Sequence, residues 1–260
     1  MKKQLKVMAL ALSLVMLVFA FAACGDTATK TEETAPAEEI VFGTNAEFPP
    51  FEFVSANGVI GEFDGIDIAI ADQIAKENGM TASISNMEFD SLLVALQNGQ
   101  VDAVIAGMTV TEEREETVDF STPYYQATQV MIVKEDSDIA KATDMADKTI
   151  AVIQGYTGET CVVEMGYKYT SFKKGTDAIM ELVNGKADVV VIDSATASKY
   201  VTDNEGLKIV EDSEAFASEE YAIAVAEGNT ELLDKINASI EKMLEAGTIA
   251  DLADKYAVAE

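Results

Sequence analysis

The chain has 260 residues, of which 46 are acidic, 18 are basic and none is histidine. Its formal charge of −28 at pH 7 excludes a nucleic-acid binder, which needs positive charge against phosphate, and leaves no polybasic grip on anionic lipid. Without histidine the commonest metal ligand and the usual general base are gone, so a serine or cysteine nucleophile has no ordinary partner, and no metal or cofactor is expected.

In chain order, Lys2, Lys3 and Lys6 precede an apolar run from Met8 to Ala22 broken only by Ser13. The run is shorter than the ~20 residues that a membrane span needs, and residues 1–23 read as a signal peptide. Phe21-Ala22-Ala23-Cys24 resembles the bacterial lipobox, in which the signal is cut before the cysteine and the cysteine is lipidated. Phe21 stands where that motif usually has leucine, and ordinary secretion after Ala23 is the alternative. Residues 24–38 are rich in Thr, Ala and Glu and read as a flexible tether. A lipidated Cys24 would leave only Cys161, either a reactive thiol or a small apolar residue near a helix start.

From Glu39 onward, β-rich runs alternate with helical patterns. Strands are predicted at Ile40–Thr44, Val101–Ala106, Gln129–Val133, Thr149–Ile153, Ala187–Ile192 and Ala222–Val225. Helices are predicted at Ile66–Asn78 with Gly79 after it, at Ser91–Gln97 with Asp90 as N-cap, and at Glu231–Glu245 between Thr230 and Gly247. The alternation points to an α/β fold with mostly parallel sheets. Leu96-Gln97-Asn98-Gly99-Gln100-Val101-Asp102 is echoed by Leu182-Val183-Asn184-Gly185-Lys186-Ala187-Asp188, each running from helix through an Asn-Gly break into a strand. The echo suggests two related lobes, with Gly107 and Asp193 at equivalent strand ends, where open α/β sheets bind ligands.

Arg114 is the sole arginine beside 17 lysines. Its planar fork suits a carboxylate, whereas a solvated pair with Glu115, Glu116 or Asp119 would be served equally by lysine. Asp193 across a cleft would complement an ammonium group, or it could be a surface residue or helix cap. Gln154-Gly155-Tyr156-Thr157-Gly158-Glu159 opens a helix after a strand and could present N–H groups to an anion, or be a simple turn. Phe48, Phe51, Phe53 and Phe89 are core residues or, following strands, pocket walls.

Phe48-Pro49-Pro50-Phe51-Glu52-Phe53, Gly65-Ile66-Asp67, Phe89-Asp90-Ser91-Leu92 and Ala106-Gly107-Met108-Thr109-Val110-Thr111-Glu112-Glu113-Arg114, continuing to Val118-Asp119-Phe120-Ser121-Thr122-Pro123-Tyr124-Tyr125, occur in one order. Together they resemble the family 3 solute-binding lipoproteins of polar-amino-acid ABC transporters. The resemblance implies the type II periplasmic-binding-protein fold: an α/β protein of two lobes joined by two hinge crossings, with 39–127 and 222–260 in the first lobe and 128–221 in the second. It implies an extracytoplasmic, membrane-anchored monomer that takes up a free L-amino acid, glutamine or a related polar or basic one, and delivers it to an ABC permease. By the same resemblance Arg114, the Thr109 backbone and the Thr157 turn would grip the α-carboxylate. Asp193, the Gly107 carbonyl and Thr109 would hold the ammonium, Phe48 and Phe89 would flank the side chain, and Asn45 would lie at its distal end. A dehydratase of cyclic amino acids and an amino-acid-sensing receptor module share the fold and stand as alternatives.

Overall fold

The computed structural model describes residues 37–257; the expected signal peptide, Cys24 and most of the expected tether lie outside the described residues. Two sheets organise the chain. The first has the order Thr81–Asn86, Glu39–Thr44, Ala103–Val104, Ala224–Ala226, Val118–Phe120. The second runs Tyr169–Phe172, Ile150–Ile153, Val189–Asp193, Tyr125–Lys134, Leu207–Val210. In each, one strand opposes the other four: Ala224–Ala226 in the first, Tyr125–Lys134 in the second. Both opposing strands are the ones that arrive from the other lobe.

The sequence pattern explains why the strands stay parallel and buried. Ile150–Ile153 and Val189–Asp193 are buried at every position, as strands covered on both faces must be. Alternate residues of the second sheet enter different cores. Val130, Ile132, Val190 and Ile192 join the larger one, whereas Met131, Val133, Val189 and Val191 join a smaller one with Val162 and Phe216. Helix Ile66–Glu77 buries Ile66, Ile70 and Ile74 on one stripe and packs against Thr230–Glu245 and Thr248–Ala257. Each such isoleucine contributes about 1.5–3 kcal/mol by leaving water.

The echoed segments do the same work twice. Leu96 and Leu182 are buried, and Gly99 and Gly185 take the positive φ (66° and 71°) that ends each helix sharply. Asp102 Oδ2 then accepts from Val41 N at 2.8 Å, and Asp188 Oδ2 accepts from Thr149 N at 2.7 Å. Each aspartate thus pins the start of the neighbouring strand.

Three local expectations need correction. The predicted strand Val101–Ala106 is paired only at Ala103–Val104, because the chain then leaves the sheet to form a loop. Asp90 does not cap a helix; it lies inside a 3-10 turn, Phe89–Ser91, that leads into Leu92–Gln97. The late helix starts at Thr230, and the cap is Asn229, whose side chain accepts from Leu232 N.

The two lobes meet along a pair of antiparallel crossing segments. Tyr125–Thr128, the first part of Tyr125–Lys134, pairs with Ser218–Tyr221. Tyr125 and Tyr221 stack with centroids 5.7 Å apart, and Phe51 sets its ring against both, 4.9 and 5.1 Å away. Thr109 of the first lobe adds a further bridge to Tyr221. Among the described residues no helix is long and apolar enough to cross a membrane.

Candidate ligand-binding site

The site begins where the chain leaves strand Ala103–Val104. Gly107 has φ +51°, and a Cβ there would lie 2.5 Å from Phe48 Cε1. Its N–H donates to Asp67 Oδ2 (2.7 Å), which also accepts from Tyr124 Oη (2.8 Å). Beside Asp67 lies Glu52, also fully buried, and neither Glu52 oxygen meets an N–H donor. Burial, together with the charge of Asp67, pushes Glu52 well above the usual carboxylate range. Burial likewise raises Asp67, to about 6, against the opposing bonds from Gly107 and Tyr124. Asp67 thus anchors the Gly107 loop. Gly107→Ala is expected to cost about 1–2 kcal/mol in backbone strain, to push Phe48 into the cleft, and to lower both melting temperature and ligand affinity. Differential scanning fluorimetry with and without ligand checks both.

Thr109 comes next. The bonds Ala222 N→Met108 O (3.0 Å) and Val110 N→Glu220 O (2.9 Å) flank its bridge to Tyr221. Its own N–H and C=O therefore point away from the crossing strand. The carbonyl accepts from Arg114 Nη1 at 2.6 Å, and Arg114 Nη2 donates to Gly155 O of the other lobe at 3.0 Å. Arg114 sits on the short helix Glu112–Glu115, capped by the Thr111 hydroxyl, with its guanidinium 5.3 Å from the Phe89 centroid. The guanidinium thus turns into the interlobe cleft. Burial lowers its pKa, against Asp193 and Glu219, which favour its charge; a guanidinium remains protonated regardless.

The second lobe supplies the opposing wall. Asp193 ends its strand and occupies the N-cap position of helix Ser194–Asp203, yet its side chain makes no cap bond. It turns inward instead, where Oδ1 accepts from Tyr221 Oη at 2.6 Å. Burial, then the charge of Glu219, raises it to about 7. Thr157 opens helix Thr157–Glu164, where Glu159 N donates to the capping Tyr156 O (3.0 Å) and the N–H groups of Thr157 and Gly158 precede the first intrahelical acceptor. Its hydroxyl donates to Glu219 Oε2 (2.7 Å) and accepts from Gln129 Nε2 (2.9 Å).

Seven of the eight expected binding residues line one cavity: Phe48, Phe89, Gly107, Thr109, Arg114, Thr157 and Asp193. Asn45 does not. Its amide donates to Met87 O (2.9 Å), and its carbonyl accepts from Tyr156 Oη (3.1 Å), so both ends are engaged and it stands behind the lining. Tyr156 lines the cavity as well, edge-on to Phe48 (5.3 Å) and Phe89 (4.6 Å), which makes a three-ring box from two lobes. It stood in the quoted Gly155–Gly158 turn, but nothing in the sequence told its ring from a core ring. The cavity leaves about 10 Å³ for the centre of a water molecule, little more than one water. A larger guest enters only as the walls part. Lys174 Nζ lies 2.6 Å from Glu47 Oε1 and Lys173 Nζ lies 3.9 Å from Glu88 Oε2, so Glu47 already has a cationic partner. Burial pushes the half-buried Cys161 thiol up to about 11, which argues against a reactive thiolate.

A family model described as bacterial extracellular solute-binding proteins, family 3, matches residues 40–259. The chain belongs to this family. It is 32% identical over 251 residues to the arginine-binding extracellular protein ArtP of Bacillus subtilis, covering 94% of this chain and 95% of that one. The arginine-, lysine-, histidine-binding protein ArtJ of Geobacillus stearothermophilus superposes with a TM-score of 0.79 at 35% identity, covering 84% of this chain and 95% of ArtJ. An ancestral arginine-binding protein bound to glutamine gives a TM-score of 0.78 at 42% identity, covering 84% and 97%. The architecture is that of type II periplasmic binding proteins. In this family 3 protein the two walls of the cleft carry opposite charge, a guanidinium from one lobe and a carboxylate from the other.

Proposed function

We propose that this protein captures a polar L-amino acid between its lobes as the solute-binding component of an ABC importer. The observation that carries the reading is the pairing of Arg114 and Asp193 in one cavity that aromatic rings otherwise enclose. A free α-amino acid presents the complementary pair. In this reading Arg114, the Thr109 N–H and the first N–H groups of helix Thr157–Glu164 take the carboxylate. Asp193, the Gly107 carbonyl and the Thr109 hydroxyl take the ammonium, and Phe48, Phe89 and Tyr156 surround the side chain.

The charge count favours a cationic ligand. Arg114 faces two carboxylates, Asp193 and Glu219, and the aromatic box suits a delocalised cation. Relatives named for arginine binding agree, while the ancestral protein holding glutamine keeps a neutral polar side chain in contention. Titration calorimetry against the twenty amino acids tests this directly. Tight binding of L-arginine, with L-glutamine weaker, is the expected result; heat from none of them overturns the reading.

The lobes then meet at a hinge formed by Tyr125–Thr128 and Ser218–Tyr221, with 39–127 and 222–260 on one side and 128–221 on the other. The protein works as a monomer, tethered through lipid on Cys24 outside the cytoplasmic membrane, and presents its cargo to a membrane permease. Mass spectrometry of the mature N-terminal peptide tests the anchor, where an unmodified Cys24 or cleavage elsewhere would remove it.

A further inference from the structure

Glu219 belongs to none of the groups that would touch the ligand, yet it joins several of them. It lies on the crossing segment Ser218–Tyr221 and is half-buried. A single oxygen, Oε2, accepts from the Thr109 hydroxyl (2.8 Å) of the first lobe and from the Thr157 hydroxyl (2.7 Å) of the second. Gln129 Nε2 approaches the same oxygen at 3.3 Å, and Gln129 is the cross-strand neighbour of Asp193. Strand alternation sends Glu219 to this side and its exposed neighbour Glu220 to the other.

A threonine hydroxyl has one proton and two lone pairs. Once the proton is committed to a carboxylate, what the oxygen can offer elsewhere is acceptance alone. Thr157 uses one lone pair on Gln129, whereas the Thr109 hydroxyl, on a residue that lines the cavity, accepts no hydrogen bond among the described residues. A hydroxyl free to rotate could donate to a carboxylate or accept from an ammonium with similar ease. A hydroxyl whose proton is held can only accept, so it discriminates between the two ends of an amino acid.

We propose that Glu219 is a positioning residue: by holding the hydroxyl protons of Thr109 and Thr157 on one oxygen, it fixes the Thr109 hydroxyl as an acceptor for the ligand's ammonium and couples the binding threonines of the two lobes. This rests on the amino-acid-binding reading given above. The hinge segment thereby takes part in recognition as well as in motion, since the shared oxygen is reached from both lobes when they approach.

A double-mutant cycle on affinity tests it, with L-arginine and L-glutamine as probes and calorimetry as the readout. Glu219→Gln keeps size and an acceptor oxygen but loses the charge that holds both protons, and is expected to weaken binding about tenfold. Thr109→Val removes the hydroxyl at nearly constant shape. In the Thr109→Val background, Glu219→Gln is expected to cost less than about twofold, because the group through which it acts is gone. Melting temperatures of the variants, measured without ligand, show that each is folded. Additive losses, or wild-type affinity in Glu219→Gln, overturn the proposal while leaving the functional reading intact. Failure of the wild-type protein to bind any amino acid overturns that reading, and the proposal with it.

Discussion

Arg114→Lys is expected to weaken amino-acid binding by about a hundredfold, near 2.7 kcal/mol. The arginine fork holds Thr109 O at 2.6 Å with one terminal nitrogen and Gly155 O at 3.0 Å with the other. These are carbonyls of two different lobes, and the same planar group stacks above Phe89. With five N–H donors, a guanidinium can keep such anchors and still aim a pair at a carboxylate. An ammonium has three donors converging on one point, so it can serve one lobe or the ligand but cannot span both with parallel bonds. Each charge-assisted bond lost is worth about 1.5–3 kcal/mol, which sets the scale. The charge is conserved, so long-range attraction is unchanged and the loss belongs to geometry. Calorimetry on the lysine variant checks it; binding within threefold of wild type would remove Arg114 from the carboxylate role.

Asp193→Asn is expected to lose at least a hundredfold in affinity, because a buried charge partner of the ammonium disappears while the shape stays. The asparagine oxygen can still accept from Tyr221, so the local bond at 2.6 Å has a substitute and the effect reads as charge. A pH series adds a second signature. Asp193 ionises near pH 7 in the folded chain, raised chiefly by burial and then by Glu219. An ammonium needs the ionised form, so wild-type affinity should climb as pH rises through 7, with proton release on binding below that value. The asparagine variant should be flat over the same range. Stability runs the other way. A carboxyl whose folded value lies above its unfolded value binds its proton more tightly in the fold, so its contribution declines as pH rises from about 4 to about 7. Without ligand, Asp193→Asn should therefore melt higher than wild type at pH 8, and the gap should close toward pH 4. A variant that melts lower at pH 8 would show that the aspartate serves the fold before it serves the ligand.

Much of this architecture could be read from local pattern. The alternation of apolar runs gave the α/β class, and the repeated Leu-x-Asn-Gly-x-x-Asp segments marked two related lobes. Their aspartates make matching bonds to Val41 and Thr149. Arg114 stood out because composition isolates it. What sequence could not show depends on register between distant strands. Glu219 and Glu220 are adjacent acids in an acidic chain, and only the pairing of Ser218–Tyr221 with Tyr125–Thr128 decides which one faces the threonines. Glu52 and Asp67 both lay in noted motifs, but their burial side by side in a dry interior comes from separate parts of the fold. Asn45 looked available as a loop residue after a strand, and its bonds to Met87 and Tyr156 come from separate parts of the fold. The caps at Asp90 and Thr230 failed for a smaller reason: several adjacent polar residues can cap, and backbone geometry one residue away selects among them.

The isolation of Arg114 in the composition also makes it a built-in reporter. Growth on isotopically labelled arginine would place nitrogen-15 in one guanidinium of the whole protein, and that group lies in the cleft between the lobes. A single side-chain resonance would then follow occupancy without assignment of any other signal. A dicarbonyl reagent selective for arginine would likewise have one target, and its rate of attack, with and without ligand, would give the fraction of time for which the cleft stands open.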